Sequence, residues 1–121
     1  MNRPRVLVAD DHQAILDRVS EQLNVEFEII ATAHDGQAAL DAAVALNPDA
    51  LVLDISMPGI SGLEVAKRLS ALANPPKIVF LTVHEDRDFR DAAEAVGASG
   101  YVLKRHLVTN LIGAVRQALR E

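Results

Sequence analysis

Four short apolar runs in this chain each stop on a polar residue that has no place in a core. Val6-Leu7-Val8-Ala9 stops on Asp10-Asp11, and Leu51-Val52-Leu53 stops on Asp54. Ile78-Val79-Phe80-Leu81 stops on Thr82, and Tyr101-Val102-Leu103 stops on Lys104. Runs that are apolar at every position, not at alternate ones, are buried on both faces. That is the mark of central strands in a parallel sheet. Parallel strands need crossover connections, and here the stretches between the runs carry helical spacing.

The connections are read in order. From His12 to Leu23, Ile15, Leu16, Val19 and Leu23 fall on one helical face. A second strand is expected over Phe27 to Thr32. Asp35-Gly36 opens a helix whose face is Leu40, Ala43, Val44 and Leu46, and Asn47-Pro48 ends it, because proline pushes its predecessor out of the helical region. Ser61-Gly62-Leu63-Glu64 has the form of a capping box, so a third helix starts there. Its buried face is Leu63, Ala66, Leu69 and Leu72, and Asn74-Pro75-Pro76 closes it. The fourth strand spans Lys77 to Val83. The helix from about Asp86 to Val96 offers only Phe89, Ala92, Ala93 and Val96 for burial, with Gly97 as its C-cap. Weak anchoring makes it the expected mobile helix. The last helix uses Leu111, Ile112, Val115 and Leu119. Five strands alternating with five helices predict one doubly wound α/β domain over residues 1–121.

Composition narrows the function. A net charge of −5 and the absence of any basic stripe argue against nucleic-acid binding by this segment. With no cysteine there is no thiol nucleophile and no Cys-based metal site, which fits a cytoplasmic location. The apolar stretch near the N-terminus is too short for a signal peptide, and no run approaches membrane-span length.

In a parallel sheet the carboxyl ends of the strands share one edge, where ligands bind. Asp10, Asp11, Asp54, Thr82 and Lys104 therefore converge, with Tyr101 nearby. Three close carboxylates must take up protons or hold a cation. Mg²⁺ suits them, since it typically takes one or two carboxylates and adds phosphate oxygens. Such parts serve phosphoryl transfer, in which a carboxylate can itself be the nucleophile. Asp54 is the best candidate, because it stands alone before a Pro-Gly turn expected to leave it exposed. Asp10 and Asp11 would hold the metal, Thr82 could donate to a phosphoryl oxygen, and Lys104 could pair with another.

Each piece has a plainer explanation. Asp10-Asp11 could cap a helix. Asp54 could be a turn carboxylate, Thr82 a strand residue, Tyr101 an edge aromatic and Lys104 a solvated end. The histidines (His12, His34, His84, His106) lack ligand spacing and read as surface or cap residues. Only the convergence of the strand ends defeats these explanations together.

Val8-Ala9-Asp10-Asp11-His12, Asp54-Ile55-Ser56-Met57-Pro58-Gly59 with Gly62-Leu63-Glu64, Phe80-Leu81-Thr82 and Gly100-Tyr101-Val102-Leu103-Lys104 together resemble the receiver domain of bacterial two-component response regulators. The flavour is that of the NarL/FixJ-like subfamily, whose output is a helix-turn-helix DNA-binding domain. The resemblance implies a flavodoxin-like fold with strand order 2-1-3-4-5. It implies that Asp54 accepts phosphate from a phosphohistidine on a sensor histidine kinase. Asp11, Asp54 and the backbone carbonyl of Ser56 would ligate Mg²⁺, with Asp10 acting through water and Lys104 on the phosphoryl group. Thr82 and Tyr101 would be switch residues that reshape the face made by the fourth helix, fifth strand and fifth helix. A homodimer on phosphorylation is plausible by the same resemblance. So are a stand-alone receiver acting through protein contacts and, less readily, an aspartyl-phosphate phosphatase.

Two positions depart from the family pattern. Proline often follows the Lys, commonly with a cis bond, whereas Arg105 follows here. A cis bond before a non-proline residue costs about 2.5–4 kcal/mol, so trans is expected, and the placement of Lys104 is then in question. Val83 stands where a small residue is usual and is expected to narrow access to Asp54. A Val83→Ala variant should therefore accept phosphate faster from a small donor, and an unchanged rate would remove the idea. Ser56 and His84 hold positions that flank the phosphoryl group in the family.

Overall fold

The computed structural model describes residues 3–121 and places five strands in one parallel sheet, in the order β2-β1-β3-β4-β5. The strands are β1 (Arg5–Ala9), β2 (Glu28–Ala33), β3 (Ala50–Leu53), β4 (Lys77–Thr82) and β5 (Gly100–Leu103). The helices are α1 (Gln13–Leu23), α2 (Gly36–Leu46), α3 (Gly62–Leu69), α4 (Arg87–Ala95) and α5 (Leu107–Leu119), with a short 3₁₀ turn over Lys104–His106 before α5.

The continuous apolar runs split by alternation. Val6, Val8, Val52, Val79, Leu81 and Val102 face α1 and α5. Leu7, Ala9, Leu51, Leu53, Ile78 and Phe80 face α2, α3 and α4. Burial on both faces is thus met by helices on both faces, the doubly wound arrangement expected from the sequence.

Local chemistry sets the helix ends. The Asp35 side chain accepts from the Ala38 amide at 2.8 Å, opening α2. At the other end Asn47 adopts a left-handed conformation (φ 50°), before Pro48. Ser61 Oγ accepts from the Glu64 amide at 3.2 Å, one half of a capping box. The Glu64 carboxylate instead takes Arg68 at 3.0 Å. At α4, Val96 is the C-cap and Gly97 follows at φ 83°. The amides of Gly97 and Ala98 bond the carbonyls of Glu94 and Ala93, a Schellman closure.

Several expected faces need correction. In α2 the buried residues are Gly36, Ala39 and Ala43, while Val44 is 57 % and Leu46 38 % exposed. Small side chains let α2 lie close to the sheet, Leu40 packs partly buried against the same cluster, and Val44 and Leu46 turn outward. In α3 Val65 is buried with Ala66 and Leu69, whereas Leu63 and Leu72 are half-buried, and the helix ends at Leu69, before the Asn-Pro-Pro stretch. β4 stops at Thr82, leaving Val83 outside the strand. α4 fully buries Ala93 alone, as its sparse apolar face implied.

Candidate functional site

Strand register assembles the site. Ala9 pairs with Leu53, Leu53 with Phe80, and Thr82 with Leu103. The residues that follow, Asp10, Asp54 and Lys104, therefore leave the sheet at one edge beside Thr82. Backbone bonds fix their origin: the Asp54 amide donates to the Ala9 carbonyl and the Asp10 amide to the Ala33 carbonyl, both at 3.0 Å.

Asp10, Asp54 and Thr82 are buried, and Asp54 is 4 % exposed. The expectation of an exposed Asp54 is thus corrected. The Pro-Gly turn does not carry it outward, because the chain folds straight back into α3. The Gly62 amide donates to the Ile55 carbonyl at 2.7 Å. A Cβ on Gly62 would lie 2.0 Å from the Asp54 carbonyl oxygen, so only glycine lets α3 start this close.

Lys104 reaches back across the edge. Its Nζ stands 3.2 Å from Asp54 Oδ2 as a hydrogen bond and 2.7 Å from Asp10 Oδ2 as an ion pair without hydrogen-bond alignment. The Lys104–Arg105 bond is trans. The trans bond therefore does not cost Lys104 its place between the two carboxylates.

The charges shift one another. Burial pushes the Asp54 carboxyl up, and the neighbouring Asp10 carboxylate pushes it further, against the opposing pull of Lys104. Burial alone would lower Lys104, but contact with Asp10 and Asp54 outweighs it and holds the ammonium above its usual range.

Asp11 and His12 stand at the more open side. His12 Nδ1 lies 3.1 Å from Asp11 Oδ1 and 3.3 Å from Asp10 Oδ1. Asp10, Asp11, His12 and Asp54 can each bring one ligand atom within 4.8 Å of the others. Asp10 Oδ2 is already paired with the Lys104 ammonium at 2.7 Å. Three carboxylates around that one ammonium leave oxygen ligands and negative charge to spare, a donor set that fits a hard divalent cation such as Mg²⁺.

His84 is the residue whose importance the residue types alone did not show. Its amide donates to Thr82 Oγ1 at 3.1 Å, and its carbonyl accepts from the Tyr101 hydroxyl at 2.7 Å. Its ring stacks on Phe89 of α4, centroids 3.9 Å apart, and Nε2 lies 2.7 Å from Ser56 Oγ. The two expected switch residues are thus joined through one histidine. Tyr101 is half-buried, with the Arg90 guanidinium 4.7 Å above its ring. Ser56 sits in the turn beyond Asp54, its amide 3.4 Å from Asp54 Oδ1. Val83 is 66 % exposed. The signal for His84 was its place two residues past a strand-end threonine.

The model of the response regulator receiver domain family matches residues 6–116. The chain belongs to that family. This receiver domain is 33 % identical over 117 residues to the transcriptional regulatory protein DegU of Brevibacillus brevis, covering 95 % of the chain and 50 % of that protein. It is 37 % identical over 117 residues to the transcriptional regulatory protein PrrA of Mycobacterium tuberculosis, covering 97 % and 50 %. The chain spans about half the length of these curated relatives. Among solved structures, the receiver domain of the response regulator NarL from Mycobacterium tuberculosis superposes with a TM-score of 0.94 at 30 % identity, covering 99 % of this chain and 98 % of that one. The NarL/FixJ-like resemblance and the flavodoxin-like fold stand on these likenesses. The receiver is a regulatory domain. Among the described residues no helix is long and apolar enough to cross a membrane.

Proposed function

We propose that this receiver is a phosphorylation-operated switch whose acceptor is Asp54. The observation that carries the reading is the buried pair Asp10–Asp54 with Lys104 set between them. In the transfer, an Asp54 carboxylate oxygen attacks the phosphorus of a phosphohistidine on a sensor histidine kinase. The new P–O bond forms as the P–N bond breaks, and the imidazole leaves with the electron pair and takes a proton from solvent. Lys104 pairs with the charged phosphoryl oxygens as they arrive. Asp11, Asp54 and the Ser56 carbonyl would hold Mg²⁺, with Asp10 acting through water, and the ion would offset charge on the transferring group.

Thr82 Oγ1, which accepts from the His84 amide, has a hydroxyl hydrogen to offer a phosphoryl oxygen. Its turn toward the acceptor would draw the His84 loop, release Tyr101 inward and move α4, the helix with one fully buried residue. The switched face is then α4-β5-α5. We place the domain in the cytoplasm, in a longer regulator whose DNA-binding part acts on transcription, with dimerisation on phosphorylation. The domain assists its own phosphorylation and dephosphorylation and turns over no separate substrate.

The test is intact mass after incubation with acetyl phosphate and Mg²⁺. The wild type should gain one labile phosphoryl group, lost when Mg²⁺ is removed. Asp54→Asn should gain none. An adduct that persists in Asp54→Asn would move the acceptor elsewhere.

A further inference from the structure

The loop between β4 and α4 has no ladder of its own, so side chains hold it. Residues 83–86 lie outside any helix or strand. Asp86, the N-cap of α4, makes no capping hydrogen bond with its side chain. His84 ties the loop to Thr82 and Tyr101 through its backbone and to Phe89 through its ring. The next residue carries a further tie. The Glu85 carboxylate pairs with the Arg105 guanidinium, across to the 3₁₀ turn that precedes α5. The two ends of this pair differ in their footing. Arg105 follows Lys104, whose ammonium stands between Asp10 and Asp54, and Leu107 two residues on is buried in the core. Arg105 Nε also donates to His106 Nε2 at 3.4 Å. Arg105 is therefore the anchored end. Glu85 lies on the segment that a turn of Thr82 would draw, between His84 and a helix with one fully buried residue.

We propose that the Glu85–Arg105 ion pair is an electrostatic strap that holds the unphosphorylated arrangement and opposes the switch. The inference rests on the reading of Asp54, Thr82 and Tyr101 as acceptor and switch residues, and it adds a restraint on their motion. The pair is at contact in this arrangement, so movement of the β4–α4 loop past the 3₁₀ turn lengthens it. Arg105, standing where proline is usual, supplies a charge that proline could not. Both side chains are more than half exposed, Arg105 at 60 % and Glu85 at 53 %, so water and salt weaken the strap. Exposed pairs of this kind shift an equilibrium about two- to fivefold. A strap of that strength biases the two populations without locking either.

The experiment compares the wild type, Glu85→Gln, Arg105→Gln and the exchanged pair Glu85→Arg with Arg105→Glu. The first readout is hydrogen exchange in the unphosphorylated chain, which needs no phosphoryl chemistry. Amides of residues 83–89 should exchange about two- to fivefold faster in both single variants and return to the wild-type rate in the exchanged pair. The differences should shrink at 1 M salt, where the screening length falls to about 3 Å. The second readout is the rate of adduct formation from acetyl phosphate with Mg²⁺ at low salt. Both single variants should react about two- to fivefold faster, because the competent arrangement is more populated, and the exchanged pair should match the wild type. The sign for Arg105→Gln decides between two accounts. If Arg105 merely attracted the anionic donor, its loss would slow the reaction while loss of Glu85 sped it. Opposite signs in the two single variants overturn the strap, as does unchanged exchange in both. An exchanged pair that behaves like the single variants does the same. Exchange differences without any adduct would overturn the acceptor reading instead, and with it the place of the strap in a switch.

Discussion

Lys104→Met should cost about 3–5 kcal/mol of stability in a denaturant titration without divalent cations. The number follows from what the substitution leaves behind. Asp10 and Asp54 are buried, and Lys104 Nζ is 2.7 Å and 3.2 Å from their Oδ2 atoms. Removing the cation strands two desolvated like charges. Asp54→Asn should show the opposite sign. Its carboxyl is raised by burial and by Asp10, so ionisation of Asp54 costs the folded state free energy at neutral pH. The neutral isostere removes that cost, and its melting temperature should exceed the wild type's in chelator. In the Asp54→Asn background Lys104→Met should cost less than it does alone, because one carboxylate remains where there were two. Equal costs in both backgrounds would mean that the Lys104–Asp54 contact carries no coupling.

The pH dependence follows from the two directions. Stability tied to the raised Asp54 carboxyl is present below its unfolded value and is lost as pH rises through its folded one. The stabilisation tied to Lys104, also raised, is fully present below the unfolded lysine value. It is lost as pH rises through the folded one, at the alkaline end. The wild type minus Asp54→Asn difference should therefore shrink on acidification, and the cost of Lys104→Met should shrink in strong alkali.

Gly62→Ala should be nearly as damaging by a different route. The added carbon would meet the Asp54 carbonyl oxygen at 2.0 Å, its carbon at 2.9 Å and Ile55 Cα at 3.0 Å. All three are backbone atoms of the turn that carries Asp54, the proposed acceptor, so no side chain can swing aside. Overpacking of this kind costs about 1–3 kcal/mol when the surroundings give way. Here what gives way is the join between β3 and α3, and Asp54 moves with it. A displacement of about 1 Å at a reacting group can cost about 100-fold in rate. Denaturant melts with acetyl phosphate adduct kinetics check both effects. A variant that loses stability but keeps the wild-type rate would show that α3 retreats alone.

The strands were legible because their signal is redundant. Val6 to Ala9 and Ile78 to Leu81 are apolar at every position, and burial on both faces is the one economical reason. Strand ends then placed Asp10, Asp54, Thr82 and Lys104 on one edge without further information. Helix faces were less legible where residues are small. Ala39 and Ala43 bury α2 while Val44 and Leu46 stand outward, an inversion that side-chain size alone misreads. The burial of Asp54 was missed because a Pro-Gly turn says that the chain turns, not what it turns against. His84 was undervalued for a similar reason. Its role comes from backbone groups meeting Thr82 and Tyr101 and from a ring stacked on Phe89. The Tyr101 contact spans 17 residues of sequence, and the other two depend on how the loop after β4 turns into α4.

The Tyr101–His84 hydrogen bond has a practical side. The chain holds one tyrosine and no tryptophan. Its tyrosine emission therefore comes from a single ring, and that ring's hydroxyl is tied to the loop after β4 under the Arg90 guanidinium. The molecule carries its own optical probe beside the loop after β4, and stopped-flow fluorescence of the unlabelled protein would test and time the inward motion proposed for Tyr101.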